Sequence, residues 1–279
     1  MEPDAEKIIA ERPLISSLIK KREEASNKSH HGHALLIAGS RGKMGAAVIA
    51  AGSCIRTGVG LLTVNIPADE RSILQTTIPE AMLMMREEGG ALQKFSAIGV
   101  GPAMGTGEDV VALLENLLQN YQLPMVLDAD AITILANHPS LFRILPEHCI
   151  LTPHSGEFDR LFGEHKNDED RRAKALQLSL TNSRVIVSKG RHTQIAYKGK
   201  AYINTTGNAG LAKGGSGDAL TGMILSLLAQ GYTALNAAIT GVYLHGLAAD
   251  IALKEQSIES LVATDLVDYI GKAFNASRG

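Results

Sequence analysis

The sequence predicts an α/β protein in which a wound, mostly parallel sheet is covered by helices. Short apolar runs are each followed by a glycine-rich or acidic turn and then by a helical pattern. HALLIA (33–38) runs into GSRGKMG, AIGV (97–100) into GPAMGTG, and CILTP (149–153) into HSGE. Strand, turn and helix in repeated order are what such a sheet requires. No low-complexity linker or internal repeat interrupts the pattern, so one main domain is expected.

Ile8, Ile9, Leu14, Leu18 and Ile19 form an apolar pattern broken by Pro13, which predicts one or two short helices. Residues 1–29 then form an N-terminal helical extension packed on the body, with 20–29 as a charged loop, and residues 30–279 form a single domain. A strand at 33–38 leads to a helix at 46–57, a strand at 58–66, a helix around 69–77 and an edge strand at 82–86. A buried strand at 97–100 and a helix at 108–120 follow. The strand at 124–128 ends with Asp128 and Asp130 where a helix begins. Next come a strand at 149–153, helices at 157–163 and 168–181, a central strand at 185–189 and a hairpin at 194–205 turning at Gly199. Apolar helices at 218–230, 233–254 and 263–273 complete the chain.

Composition narrows the function. The chain has 279 residues, 45% hydrophobic and 20% charged, with a net charge of −2. That suits a substantial core and gives no general attraction to nucleic acid or an anionic membrane. The acidic N-terminus lacks the layout of a signal peptide, and no apolar run reaches membrane-spanning length, so a cytoplasmic location is expected. Cys54 and Cys149, each within an apolar segment, read as buried reduced thiols. His30, His31 and His33 read as a polar loop entering a strand, and no metal-ligand set is expected. The 39–45 stretch fits neither the dinucleotide fingerprint nor a P-loop.

The chemistry concentrates in NAGLAKGGSGDALTGMI (208–224). Gly214, Gly215 and Gly217 permit close approach of a ligand to the backbone, and the free NH groups of the helix opening there form an anion site. Asp218 in that first turn would repel a phosphate if anion binding were the only purpose, but it makes sense as a base beside one. The bland alternative is an acid that complements the helix dipole. The turns at 39–46, 101–107, 152–157 and 207–218 would lie along one sheet edge and could converge on one cleft.

The motif resembles the signature of the ribokinase-like superfamily, specifically the branch of NAD(P)H-hydrate dehydratases that use ADP or ATP. LTPHSGEF (151–158), VLDADAITIL (126–135), GVGPAMG (99–105), KGRHT (189–193) and HALLIAGSRGKMGAAVIAA (33–51) carry the same resemblance. Two departures are visible: Ser155 stands where Pro is usual and Ala103 where Gly is usual. The first should only loosen a turn, whereas the second could narrow the cleft.

The resemblance implies a three-layer αβα sandwich, with 30–279 as the catalytic domain. It implies repair of the S epimer of hydrated NADH or NADPH, with ADP or ATP as co-substrate and Mg2+ as cofactor. Asp218 would be the base, and the amides of Gly215, Ser216 and Gly217 would stabilise the transferred phosphoryl group. Lys189, Gly190, Arg191, His192, Thr193 and Gly217 would bind the nucleotide, and Ala46, Gly105, His154 and Asp218 the hydrated dinucleotide. A homotetramer and a functional link to an NAD(P)H-hydrate epimerase are also implied. Asp128 and Asp130 could cap their helix or meet a ligand, and Lys213 could reach a phosphate or be surface charge. A small-molecule kinase of the same superfamily is the alternative reading.

Overall fold

The computed structural model describes residues 6–88 and 90–278. In chain order the elements are β1 (Lys7–Ala10), α1 (Arg12–Leu18), β2 (His33–Ile37), α2 (Met44–Arg56), β3 (Leu61–Ile66), α3 (Arg71–Thr77), β4 (Met82–Met85), β5 (Ala97–Val100) and α4 (Glu108–Asn120). They continue with β6 (Met125–Leu127), α5 (Ala129–Asn137), α6 (Pro139–Arg143), β7 (Ile150–Leu151), α7 (Ser155–Phe162), α8 (Asp168–Leu180) and β8 (Val185–Ser188). The chain ends with β9 (Gln194–Tyr197), β10 (Lys200–Asn204), α9 (Ser216–Ala229), α10 (Ala234–Ala252) and α11 (Ala263–Ser277).

One ten-stranded sheet runs β1-β10-β9-β8-β7-β6-β5-β2-β3-β4. Its paired neighbours are parallel except on the two sides of β9, which is antiparallel to both β8 and β10. Both faces are covered, so the strands read as continuous apolar runs that nevertheless divide by parity. In β2, Ala34 and Leu36 join the core against α2 and α9, while Leu35 and Ile37 join the core against α4. In β8, Val185 and Val187 face the first of these cores and Ile186 faces α7 and α8. α9 and α10 are buried nearly all round, as expected of helices packed between a sheet and further helices.

The predicted edge strand and the hairpin at Gly199 occur as β4 and as β9 with β10. The N-terminal reading needs correction. Residues 7–10 form a strand rather than part of a helix, paired in parallel with β10 from Lys7 opposite Ala201 to Ala10 opposite Asn204. The open edge of β10 satisfies backbone groups that a short isolated helix would leave to water, and the adjacent β-branched Ile8 and Ile9 favour the extended chain. Pro13 stands in the first turn of α1, where proline is tolerated. Residues 1–5 of the predicted extension lie outside the described residues.

His30 and His31 sit in the polar turn before β2, which His33 opens, and the cysteines are buried as expected. His33 Nε2 meets Thr63 Oγ1 at 2.8 Å, His31 Nε2 meets Ser26 Oγ at 2.9 Å, and His30 Nδ1 accepts from the Asn27 amide. Cys54 and Cys149 are buried and unpaired, and burial pushes both thiols well up from their ordinary value.

α9 reaches the sheet edge because it packs tightly on α2. A Cβ added at Gly222 would stand 2.0 Å from the Ala50 carbonyl oxygen, so nothing larger than glycine fits without separating the helices. Gly222→Ala should therefore destabilise the fold by about 2–3 kcal/mol, measurable as a lowered midpoint in urea. An unchanged midpoint would mean that the two helices are not in contact there.

Candidate active site

The turns at 39–46, 101–107 and 152–157 follow the C-terminal ends of the parallel strands β2, β5 and β7, and hydrogen bonds fix each of them to a neighbouring segment. Gly39 N donates to Pro102 O at 2.8 Å and Lys189 N to Pro153 O at 3.1 Å. Gly105 N donates to Asp130 Oδ2 at 2.8 Å. Arg86, at the end of β4, donates to the carbonyls of Ala38 and Gly39 (3.0 and 2.9 Å) and of Met104 (3.1 Å), tying the first two turns together.

At the centre is Asp128, 1% exposed. Its Oδ1 accepts from Lys189 Nζ at 2.7 Å and its Oδ2 from Thr221 Oγ1 at 2.7 Å, and its side chain does not cap α5. The capping alternative therefore fails for Asp128, and Asp130 is occupied in holding Gly105. Glu157 Oε2 lies 4.0 Å from the same ammonium. Burial works to lower the Lys189 pKa, but the facing carboxylates of Asp128 and Glu157 outweigh it and hold the value above that of an ordinary lysine.

α9 opens over this cluster. Its N-cap, Gly215, is left-handed at φ 91°, a conformation that costs glycine little. A Cβ on Gly217 would lie 3.4 Å from Lys189 Nζ and 3.8 Å from Asp128 Oδ2, so the backbone passes directly over the pair. Asp218 occupies the third helical position, half-buried, and makes no cap hydrogen bond. Burial above all, and then the charge of Asp128, push its pKa up to about 6, with Lys189 partly offsetting them. Among the described residues no group donates a hydrogen bond to this carboxylate, and an acid poised near neutrality at a helix mouth is what a general base for an alcohol requires.

α10 holds the loop before α9. Asp250 accepts from Gly207 N at 2.8 Å and from Asn208 Nδ2 at 2.9 Å, while Asn208 Oδ1 accepts from Gly210 N. Asn208 thus steadies the loop as expected. His245, brought down to about 4 chiefly by burial, stays neutral and donates from Nε2 to Ser216 O at 2.9 Å. Lys213 donates to the Glu259 carbonyl. Sequence reasoning missed Arg86, His245 and Asp250. The available signal was a polar residue in an otherwise apolar helix, as in YLHGLAAD (243–250).

Of the remaining expected site residues, Ala46 lies in the first turn of α2 and Gly105 has φ 90° in the second turn. Gly190, Arg191, His192 and Thr193 form the turn from β8 to β9, closed by Thr193 Oγ1 donating to Gly190 O at 3.1 Å. His154 is the N-cap of α7: its Nδ1 accepts from Gly156 N and Glu157 N, and Nε2 stands 3.2 Å from Glu157 Oε1. Both ring nitrogens are therefore engaged within the protein, and half of the side chain faces solvent. Among the described residues, no group of three His, Cys, Asp or Glu side chains is set to hold a metal.

The two departures have local causes. Ala103 sits at φ 49°, where glycine is unstrained. Ser155 is the first residue of α7, a place that favours proline, and His154 before it is already extended.

A mostly parallel sheet covered by helices, with a glycine-rich helix mouth and a raised acid at its edge, places the chain in the ribokinase-like class. The chain belongs to the NAD(P)H-hydrate dehydratase family, whose model matches residues 34–272. An ADP-dependent (S)-NAD(P)H-hydrate dehydratase from Bacillus subtilis is 34% identical over 268 residues, 93% of this chain and 95% of the relative. A bifunctional NAD(P)H-hydrate repair enzyme from Moorella thermoacetica is 35% identical over 271 residues, 91% of this chain and 51% of the relative. The chain thus spans about half the length of such bifunctional relatives. The crystal structure of the Bacillus subtilis ADP/ATP-dependent NAD(P)H-hydrate dehydratase, co-crystallised with ATP and Mg2+, superposes with a TM-score of 0.88 at 31% identity and covers 99% of both chains.

Two outcomes follow from this geometry. Ala103→Gly and Ser155→Pro should each stabilise the fold by about 0.5–1 kcal/mol in denaturant titration, through relief of strain and loss of unfolded-state freedom respectively. The folded-state pKa of Asp218, about 6, lies above the ordinary 3.8, so its charged form opposes folding. That cost is absent below the unfolded value and fully present above the folded one. Asp218→Asn should accordingly raise stability by about 1–2 kcal/mol at pH 8 and change it little near pH 3.5.

Proposed function

We infer that this protein removes water from the S epimer of hydrated NADH or NADPH at the expense of ADP, or of ATP, and so returns a damaged nicotinamide cofactor to use. The observation that carries the reading is Asp218: a half-buried carboxylate with a pKa of about 6 in the first turn of α9, just after the left-handed Gly215. Family membership and the Bacillus subtilis relatives support the substrate.

Hydroxide is a poor leaving group, so the ring hydroxyl must first be converted into a better one. Asp218 accepts the hydroxyl proton while the ring oxygen bonds the terminal phosphorus of the nucleotide. The bridging phosphorus–oxygen bond breaks, and the shortened nucleotide leaves. The amides of Gly215, Ser216 and Gly217 stabilise the negative charge on the transferred group, an effect worth about two to three powers of ten. The nitrogen lone pair of the reduced ring then expels phosphate, and loss of the neighbouring proton restores the double bond. Lys189 and the turn through Thr193 would hold the nucleotide, and Ala46, Gly105 and the exposed side of His154 would border the dinucleotide. Mg2+ bound together with the nucleotide would neutralise part of the phosphate charge facing Asp218.

Among the described residues no helix is long and apolar enough to cross a membrane, and a cytoplasmic place accords with two free thiols. The S-epimer requirement calls for an activity that interconverts the epimers, and the longer bifunctional relatives make an epimerase partner natural. A homotetramer belongs to the same reading.

Incubation with hydrated NADH, Mg2+ and ADP or ATP should regenerate dihydronicotinamide absorbance, with kcat/KM falling tenfold per pH unit below about 6 as Asp218 is protonated. Asp218→Asn should lower kcat by about three powers of ten and keep nucleotide affinity. Phosphate transfer to a simple alcohol such as hydroxyethylthiazole, with no restored absorbance, would move the assignment to a kinase.

A further inference from the structure

A groove on the outer side of α2 takes no part in the phosphoryl chemistry yet opens at the same sheet edge. It encloses about 420 Å3 and is lined by Met44, Val48, Ile49, Ile73 and Thr264, with Glu70 the one charged lining residue. That volume lies within the range of small-molecule sites. Two observations connect it to the cleft. The turn whose Gly39 bonds Pro102 at the cleft also supplies Gly42 and Gly45 to the groove. Ile49, on the groove wall, stands 2.8 Å from where a Cβ on Gly215 would be, so this one side chain packs between the groove and the loop that opens α9.

The apolar walls suit the flat face of a purine. The Glu70 carboxylate, without a hydrogen-bond or ion-pair partner among the described residues, is an acceptor suited to the paired hydroxyls of a ribose. Arg41 and Lys43, the cations of the adjoining turn, do not line the groove. We infer, on the basis of the dehydratase reading, that this groove receives the adenosine half of the hydrated dinucleotide and that Glu70 accepts from its ribose hydroxyls. The enzyme then selects hydrated NADH over hydrated NADPH, because a 2′-phosphate would set its negative charge against the Glu70 carboxylate.

The test compares kcat/KM for hydrated NADH, hydrated NADPH and the hydrated reduced nicotinamide mononucleotide, which lacks the adenosine half. The wild type should favour hydrated NADH over hydrated NADPH by at least about tenfold. Glu70→Gln should narrow that ratio to about twofold or less, losing on the first substrate and gaining on the second. Ile73→Trp, which fills the groove rim, should raise KM for both dinucleotides and leave that of the mononucleotide in place. A ratio unmoved by Glu70→Gln, or an Ile73→Trp effect equal on all three substrates, would overturn the assignment while turnover itself kept the dehydratase reading. Absence of turnover on any of the three hydrates by the wild type would sink both.

Discussion

The buried carboxylate of Asp128, gripped by Lys189 and Thr221, is the contact on which the rest of the site depends. It joins the ends of β6 and β8 to the first turns of α9 and sits under the backbone of Gly217. Removing one partner of such a pair strands a charge away from water, at a cost of about 3–5 kcal/mol. The same pair sets the electrostatics of Asp218. Asp128 and burial raise its pKa, and Lys189 keeps the rise within a useful range. A structural lock and the raised pKa of Asp218 thus come from one arrangement.

Around that lock the molecule carries local strain and close packing. Ala103 and Ala129 hold left-handed φ values of 49° and 47° on either side of the cleft floor, and Ala129 separates the two acids of the D-A-D turn. Such outliers persist where surrounding bonds over-determine them; here Asp128 and Asp130 are each fixed by a donor from another element. Farther out, Arg86 holds the turn at Ala38 and Gly39, Asp250 the loop at Gly207 and Asn208, and His245 the carbonyl of Ser216. The unfavourable charge of Asp218 is then sustained by the packing of α2, α9 and α10, in keeping with the usual opposition between stability and a reactive site.

Much of the fold was legible because both faces of the sheet are covered. Runs such as HALLIA and VIVSK can only be buried strands when glycine turns and helical patterns follow them. The turns at the strand ends were legible through glycines, which mark places where a side chain would crowd the backbone or force an unfavourable φ. The N-terminal strand was not legible, since Ile8 and Ile9 suit either a helix or a strand, and the open edge of β10, almost two hundred residues later in the chain, decides between them. Asp128 could not be distinguished from a helix cap because its two donors lie 61 and 93 residues away.

The sequence by itself determined the alternation of strands and helices, the glycine-rich mouth of α9 and the acid in its first turn, because those follow from spacing and from the backbone freedom of glycine. The tertiary structure alone decided which charges face one another. Whether Asp218 is an ordinary acid or a base near neutrality depends on burial and on Asp128, Lys189 and Glu157, which only the folding of distant segments brings within reach. Electrostatic energy depends on distance through space, and distance along the chain does not supply it.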